Sequence, residues 1–296
     1  VVALRPDITP QIARLIATRY RDETGPVRLC YEGTVVRFDG RARSQREIIQ
    51  AGVELAGVEG PLGDAEAIVL AAAALQSIGL PEPTIDLAHP GLAREVLGAL
   101  ALPEDVLPRV RERIGKRDGA GLRALLGAAK GPKAVIEFAA RLPELSGPPA
   151  LLAEASRRAP TAAIRQAIEG LRGLVAELER EDLHGRLHVD LGEVRGFDYY
   201  TGVRFQGFVE GAPGAVLQGG RYDALIGRYG PRRPAVGFAV DVEAAALALE
   251  LADGQGPISA VGGVLVTGDW TRAARRASEL RAEGRRAAVA PPGLAG

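Results

Sequence analysis

One stretch of the sequence combines residue types that could bind or activate a small polar molecule. Residues 193–202 read EVRGFDYYTG, which places an arginine, two acids and two adjacent tyrosines within a pattern that predicts a β-strand. Guanidinium, carboxylate and phenol groups at this spacing fit three interpretations: a catalytic strand, a pocket that only binds, or ordinary packing of a sheet. The stretch alone does not decide between them.

A second stretch, EIIQAGVELAG, also predicts a strand with polar residues on one face. Period-two geometry sends Gln50 and Glu54 to the same side of the strand, with Gly52 between them. The apolar residues that should face a core are Ile49, Ala51, Val53 and Leu55. Gln50 and Glu54 then lie either on the solvent face of an antiparallel sheet or beside a ligand floor that Gly52 leaves open.

The third stretch, DITPQIARLIATRY, predicts a helix near the start of the chain. Thr9 suits the N-cap position and Pro10 suits the first helical position. Asp7 and Thr9 therefore belong to a loop at a helix N-terminus.

Other signatures of chemistry are absent from the sequence. It contains neither a pair of cysteines at metal spacing nor an H-E-x-x-H motif, and its histidines, His89, His184 and His188, are too scattered to predict a metal site. LQGGRYD lacks the lysine of a phosphate loop and the third glycine of a dinucleotide fingerprint. The sequence predicts no catalytic residue, no metal and no cofactor.

Composition limits the class of protein further. Lysine plus arginine and aspartate plus glutamate each number 37, so the formal net charge is zero. The protein therefore has no overall positive charge that would attract nucleic acid. No apolar run approaches the ~20 residues of a membrane helix. The single cysteine, Cys30, and the lack of a leader predict a cytoplasmic location. Because the chain begins at Val1 and contains no methionine, we expect its true N-terminus to be missing.

The order of strand and helix patterns predicts an α+β fold. Two strands joined by the polar turn DGRARSQR form a hairpin, and an aspartate-capped helix begins at Asp64. Strand patterns return after residue 186, giving an antiparallel sheet of about six strands flanked by helices. We expect a core at 1–253 with a helical segment at about 103–183, and a short C-terminal α/β segment at 258–296.

Four stretches, LRPDIT, YEGTVVRF with QAGVEL, VRGFDYYTG, and GGRYDAL with PAVGFAVDVE, together resemble the catalytic core of histidyl-tRNA synthetase, a class II synthetase. The resemblance implies a class II synthetase-like antiparallel sheet and a pocket for free histidine. It implies that Asp7, Thr9 and Gln50 receive the α-ammonium and that Arg195 lies near the carboxylate. Glu54 and Tyr200 would hold the imidazole, and Tyr199 belongs to the same pocket. Asp7 replaces the usual, longer glutamate.

The nucleotide half of the synthetase site is incomplete. Arg37 matches the arginine on the first hairpin strand that holds ATP in synthetases, and we include it among the histidine-binding candidates. The second ATP arginine should follow Glu243, where this sequence has Ala244. Loss of one preorganised charge donor lowers a rate by ~10²- to 10³-fold. The hairpin turn also departs from the synthetase pattern.

RPDITPQIAR, REIIQAGVEL and DLGEVRGFDYYTGVRF resemble the regulatory subunits of short-form ATP phosphoribosyltransferase more closely than the synthetases. This resemblance implies a non-catalytic protein of histidine biosynthesis that assembles with a separate catalytic subunit, activates it and mediates feedback inhibition by L-histidine. A self-dimer within a hetero-oligomer is expected, with neither tRNA nor membrane as a partner. The alternative is histidyl-tRNA synthetase or another histidine-activating enzyme.

Overall fold

The computed structural model describes residues 4–36, 47–80, 82–181, 183, 185–195, 199–252, 264–267, 269–283, 285 and 287–289. The chain forms two compact units, Val1–Leu249 and Glu250–Gly296. Within the described helices, none is both long enough and apolar enough to span a bilayer.

One sheet organises the first unit, and in the described ranges it has eight strands: β1 Val27–Val36, β2 Glu47–Ala56, β3 Thr84–Ala88, β4 Ser146–Gly147, β5 Leu187–Asp190, β6 Arg204–Phe208, β7 Leu217–Arg221 and β8 Ala235–Asp241. Their order is β1-β2-β8-β7-β6-β3-β5-β4. The α+β class and the predicted β1–β2 hairpin are confirmed. The expected six strands become eight, partly because β4 is too short to show an alternating pattern.

The sheet is not purely antiparallel, because β3 and β5 pair in parallel. A parallel pair needs a long crossover, and most of the helices of this unit lie between these two strands. The helices are α1 Thr9–Arg19, α2 Gly60–Ser77, α3 Pro90–Gly98, α4 Leu107–Gly115, α5 Gly119–Leu126, α6 Lys133–Arg141, α7 Leu151–Arg157, α8 Ala162–Arg180, α9 Asp223–Ile226 and α10 Val242–Ala252, with a 3-10 turn at Leu142–Glu144.

The two faces of the sheet differ in chemistry. Residues opposite each other on paired strands share a face. The core face carries Leu55, Leu87, Val189, Phe205, Leu217 and Phe238, which belong to one apolar cluster with residues of α2 and α8. The other face carries Gln50, Glu54, Asp86, Arg204, Gln206 and Gln218. This polar face is therefore the floor of any ligand site on the sheet.

The strand β2 departs from the predicted division into core and solvent faces. Gln50 and Glu54 are buried, so the solvent-face interpretation is wrong, whereas Ile49 is 39% exposed. Pairing of β2 with β8 begins at Gln50, and Ile49 lies beyond it. Gly52 does not leave open floor, because a Cβ there would lie 2.4 Å from Cζ of the Tyr31 ring.

The two helix N-caps predicted from the sequence, Thr9 for α1 and Asp64 for α2, are both wrong. The helix α1 begins at Thr9 itself, after Ile8 at the N-cap position. The helix α2 begins four residues before Asp64, after Glu59. The Asp64 side chain instead accepts a hydrogen bond from Arg221 Nε at 2.7 Å, so its role is a buried ion pair.

The stretch that predicted a strand at 193–202 is a loop in its described residues, 193–195 and 199–202, and β6 begins only at Arg204. Glu193 bends the chain: its Oε1 accepts from the backbone N–H of Arg195 at 2.6 Å. A side chain that binds the backbone two residues later competes with extended structure.

The second unit contains β9 Val264–Val266, α11 Trp270–Ala282 and β10 Ala287–Val289. The two strands pair in parallel. Asp269 caps α11, since its Oδ1 accepts from the backbone N–H of Arg272 at 3.2 Å.

Candidate functional site

A cavity of about 90 Å³ lies on the polar face where β2, β8 and β7 adjoin. A single water needs ~10–15 Å³ on this measure, so the cavity can admit a small polar molecule. Six of the residues predicted from the sequence line it: Asp7, Thr9, Gln50, Glu54, Tyr199 and Tyr200. Arg195 lines an adjoining cavity. Arg37 and the hairpin turn lie outside the described residues.

Glu54 forms the innermost polar group of the site and is 2% exposed. Its Oε2 accepts a hydrogen bond from the hydroxyl of Tyr222. Burial raises the pKa of Glu54 to about 7, although hydrogen bonds from Tyr222 and Thr9 act in the opposite direction. The carboxyl group therefore titrates near neutral pH.

The raised pKa makes folding stability pH-dependent. An unfolded glutamate titrates near 4.5, so between pH 4.5 and 7 the folded chain keeps a proton that the unfolded chain has released. We expect the contribution of Glu54 to the free energy of unfolding to fall by about 3 kcal/mol as pH rises through this window.

Urea unfolding of the wild type and Glu54→Gln at pH 5 and pH 8 measures this effect. The neutral amide should remove most of the pH-dependent difference, whereas the exposed control Glu104→Gln should keep it. Equal pH dependence in all three proteins contradicts the shifted pKa.

Gln50 supplies a buried acceptor to the cavity. Its side chain is 4% exposed, and its Oε1 is buried without a hydrogen bond among the described residues. An unsatisfied buried polar group destabilises a protein by about 1–3 kcal/mol. Since Gln50 lines the cavity, a ligand N–H group would satisfy this oxygen.

Asp7 and Thr9 close one side of the cavity from the N-terminal segment. Asp7 Oδ1 accepts from the backbone N–H of Thr9 at 3.3 Å. The Thr9 side chain lies close enough to Glu54 and Tyr199 to lower the pKa of both. This side of the pocket therefore offers mainly acceptors, as an ammonium group requires.

Aromatic rings form the opposing wall. The rings of Tyr199 and Tyr200 meet edge to face with centroids 5.0 Å apart, and Tyr199 lies 5.8 Å from Tyr222. A Cβ on Gly220 would lie 2.5 Å from Cδ1 of Tyr200, so this glycine admits the ring. Burial raises the pKa of Tyr199 and Tyr222, which keeps both phenols protonated as donors.

Arg195 is less fixed than the other predicted residues. Its side chain is 71% exposed, and its Nε and Nη2 donate to the Glu193 carboxylate at 2.6 to 3.0 Å. Asp198, the other acid of this stretch, lies outside the described residues. Glu193 is the partner that the structure gives Arg195.

Several residues that line these cavities have no site role predicted from the sequence, among them Tyr222, Gln218 and Arg204. Tyr222 lies in the GGRYD motif, which was noticed for its glycines. Gln218 and Arg204 share the polar face with Glu54, and alternation along β6 and β7 could have indicated them.

The position that lacks a second ATP arginine lies at the start of α10. The backbone N–H of Ala244 donates to Asp241 Oδ1 at 3.0 Å, and Asp241 lines the cavity. A methyl group therefore stands where the synthetase resemblance requires a guanidinium.

The described histidines have structural partners. His188 Nδ1 lies 2.9 Å from Asp86 Oδ1, and His89 caps α3 by accepting from the Leu92 N–H. Among the residues that the structure describes, no group of three His, Cys, Asp or Glu could hold a metal ion.

Comparisons with known proteins identify the family of this chain. The family model of histidyl-tRNA synthetase matches residues 1–245. The ATP phosphoribosyltransferase regulatory subunit of Anaeromyxobacter dehalogenans is 43% identical over 263 residues, which cover 86% of this chain and 73% of that protein. The chain belongs to the histidyl-tRNA synthetase-like family of ATP phosphoribosyltransferase regulatory subunits.

One further relative and one solved structure set the extent of the match. The regulatory subunit of Geobacter sulfurreducens is 42% identical over 251 residues, covering 84% of this chain. This chain spans only 57% of that relative's length. A solved structure from Bacillus halodurans, described as an ATP phosphoribosyltransferase regulatory subunit/histidyl-tRNA synthetase, is 28% identical with a TM-score of 0.75, covering 99% of this chain and 75% of that one.

Proposed function

We propose that this protein is a non-catalytic regulatory subunit of short-form ATP phosphoribosyltransferase, the first enzyme of histidine biosynthesis. It assembles with the separate catalytic subunit, activates it, and mediates feedback inhibition by L-histidine bound around Glu54. The proposal includes a cytoplasmic location, a self-dimer within the hetero-oligomer, and a synthetase-like core at 1–253.

The observation that carries the proposal is the buried Gln50 Oε1, which has no hydrogen-bond partner in the part of the chain that the structure describes, beside the buried Glu54. Free histidine carries an ammonium group and ring N–H groups, which need such acceptors. Asp7 and Thr9 add to the acceptor side, and the rings of Tyr199 and Tyr200 form the opposing wall. With L-histidine bound, the buried Gln50 oxygen gains the partner that it otherwise lacks.

Ala244 favours a non-catalytic, histidine-binding regulatory subunit over a histidine-activating enzyme. Adenylation requires cations at the α-phosphate, and this position supplies none. A histidine-activating enzyme stays the second candidate because the matching family model is that of a synthetase. Histidine-dependent exchange of pyrophosphate into ATP separates the two candidates. Robust exchange would contradict the proposed non-catalytic role.

Calorimetric titration with L-histidine tests the pocket directly. We expect binding by the wild type and ~10- to 100-fold weaker binding by Glu54→Ala, because a charge-assisted hydrogen bond contributes about 1.5–3 kcal/mol. Glu104→Ala, an exposed acid, is the control and should bind normally.

The same variants test feedback in the assembled enzyme. When the catalytic subunit from the same organism is added, Glu54→Ala should assemble and activate normally but lose histidine inhibition. If inhibition survives at wild-type histidine concentrations, the inhibitor site lies elsewhere.

A further inference from the structure

A groove of about 440 Å³ lies on the surface of the first unit, between the end of α1 and the loop that follows α9. Its lining residues are Ala17, Thr18, Arg21, Tyr229, Gly230 and Pro231. The loop contacts the helix closely, because a Cβ on Gly230 would lie 3.0 Å from the backbone oxygen of Ala17. Tyr229 is 40% exposed and Arg21 is exposed as well, so both side chains are accessible to a partner.

The two segments that form this groove, 9–23 and 227–234, carry an excess of positive charge. They contain six arginines and two acids, Asp22 and Glu23. The exposed arginines of these segments are Arg14, Arg19, Arg21, Arg228 and Arg232. Among the described residues, none of these five forms an ion pair. Because the formal net charge of the whole chain is zero, the excess is a local feature of this surface.

The end of α1 accounts for only part of this charge. Its free carbonyl groups favour nearby cations, with a partial charge of about half an elementary charge. Arg233, the sixth arginine, donates to the backbone oxygens of Tyr20 at 3.2 Å and Gly25 at 2.5 Å, which ties the loop to the helix end. Asp223, the acid of α9, already accepts from Arg221 Nη1. Within the part of the chain that the structure describes, the exposed arginines are therefore available to a second molecule.

The chemistry of the groove favours an acidic segment of another protein as its occupant. Carboxylates bind guanidinium groups through paired hydrogen bonds, and the tyrosine ring adds apolar contact area. Arginine and tyrosine are also among the residues that contribute most to binding at protein interfaces. Nucleic acid is the less favoured occupant, because the chain has no net positive charge and the excess is confined to two short segments.

Both elements that form the groove also carry residues of the candidate histidine pocket. The helix α1 begins at Thr9, which lines the pocket, and Thr18 lies about 14 Å further along the helix. Tyr222, whose hydroxyl donates to Glu54, immediately precedes α9 and the loop. A molecule in the pocket and a partner in the groove therefore contact the same two elements. Feedback in an assembled enzyme needs a connection of this kind between effector and partner.

We propose that this groove is a docking site for an acidic segment of the catalytic subunit. Arg21 and Arg228 contact carboxylates of that segment, and Tyr229 packs against the chain between them. The inference rests on the proposed function and adds to it the surface through which the two subunits meet.

The double variant Arg21→Glu/Arg228→Glu tests the charged contacts. At about 0.05 M salt, its affinity for the catalytic subunit from the same organism should be at least ~10-fold below the wild-type affinity, because like charges then face each other. The loss should shrink at about 0.5 M salt, where exposed charges are screened. Biolayer interferometry measures these affinities. The control Arg109→Glu/Arg157→Glu reverses two exposed arginines of α4 and α7 that form no ion pair among the described residues, and it should assemble normally.

The variant Tyr229→Ala tests the apolar contact. It should lower the affinity by ~10-fold at both salt concentrations, since truncating a central interface tyrosine mainly speeds dissociation. Urea unfolding of each variant should match that of the wild type, because the replaced side chains are exposed.

Three results would overturn the inference. The first is unchanged assembly by the double variant. The second is loss of the self-dimer with unchanged affinity for the catalytic subunit, which would make a second copy of this chain the occupant. The third is wild-type binding of a mixed tRNA preparation that the double variant loses while it still assembles. If the wild type itself does not assemble with the catalytic subunit, the proposed function fails, and the docking site with it.

Discussion

Replacing Gly237 with alanine should abolish histidine binding and lower stability. A Cβ at this position would lie 1.7 Å from Glu54 Oε2 and 2.5 Å from the backbone oxygen of Val53. Neither contact is tolerable, so both the carboxylate and the β2–β8 pairing must move. Overpacking of this kind typically destabilises by about 1–3 kcal/mol. Urea unfolding and histidine titration measure the two consequences.

A matched glycine provides the control for Gly237→Ala. Gly173 lies on α8, and a Cβ there would meet no atom within 4 Å. Gly173→Ala should bind histidine normally. Its free energy of unfolding should rise by about 0.5–1 kcal/mol, because alanine has a higher helix propensity than glycine. In Gly237→Ala/Glu54→Ala the carboxylate clash is gone, so its stability loss should be less than the sum of the single losses. Normal histidine binding by Gly237→Ala contradicts the placement of Glu54.

Replacing Arg221 with methionine should give the largest loss of stability. Arg221 is buried on β7, and its Nε donates to Asp64 Oδ1 at 2.7 Å. Its Nη1 contacts Asp223 Oδ1 at 3.0 Å, and Nη2 donates to the backbone oxygen of Gly60 at 3.1 Å. Removing one partner of a buried ion pair destabilises by about 3–5 kcal/mol, because the other charge stays buried and unpaired.

An exposed arginine pair provides the comparison for Arg221. Arg28 binds Glu66 through two hydrogen bonds at the surface. Urea unfolding should place Arg28→Met close to the wild type, since solvent screens exposed pairs. Adding Asp64→Leu to Arg221→Met should restore part of the lost stability. If Arg221→Met loses no more stability than Arg28→Met, the buried ion pair does not make the expected contribution to the free energy of unfolding.

The sequence identified most of the pocket because its residues occupy recognisable stretches. Gln50 and Glu54 were placed on one face by alternation alone, and the structure brings them together with Asp7, Thr9, Tyr199 and Tyr200. Which face was buried could not be predicted. Polar residues of a strand normally face solvent, whereas here Asp7 and Thr9 of the N-terminal segment and the rings of Tyr199 and Tyr200 lie over this face.

Other misinterpretations arose from contacts between distant parts of the chain. Asp64 has the sequence context of a helix cap, yet its partner Arg221 is 157 residues away. The strand pattern at 193–202 was overridden by Glu193, which binds the backbone and two arginines. Arg204 was missed because an arginine on a strand gives no sign of burial until its neighbours are known.

The order of the strands in the sheet has a consequence for synthesis on the ribosome. The strand β2 ends at Ala56, and its neighbour β8 begins at Ala235. At ~5–20 residues per second, on the order of ten to thirty seconds pass before β8 can pair with β2. During this interval one edge of β2 carries unpaired backbone groups, and the nascent chain presents Gln50 and Glu54 without the strand that completes their pocket. A chain released before residue 241 would therefore carry half of the candidate site on an open sheet edge.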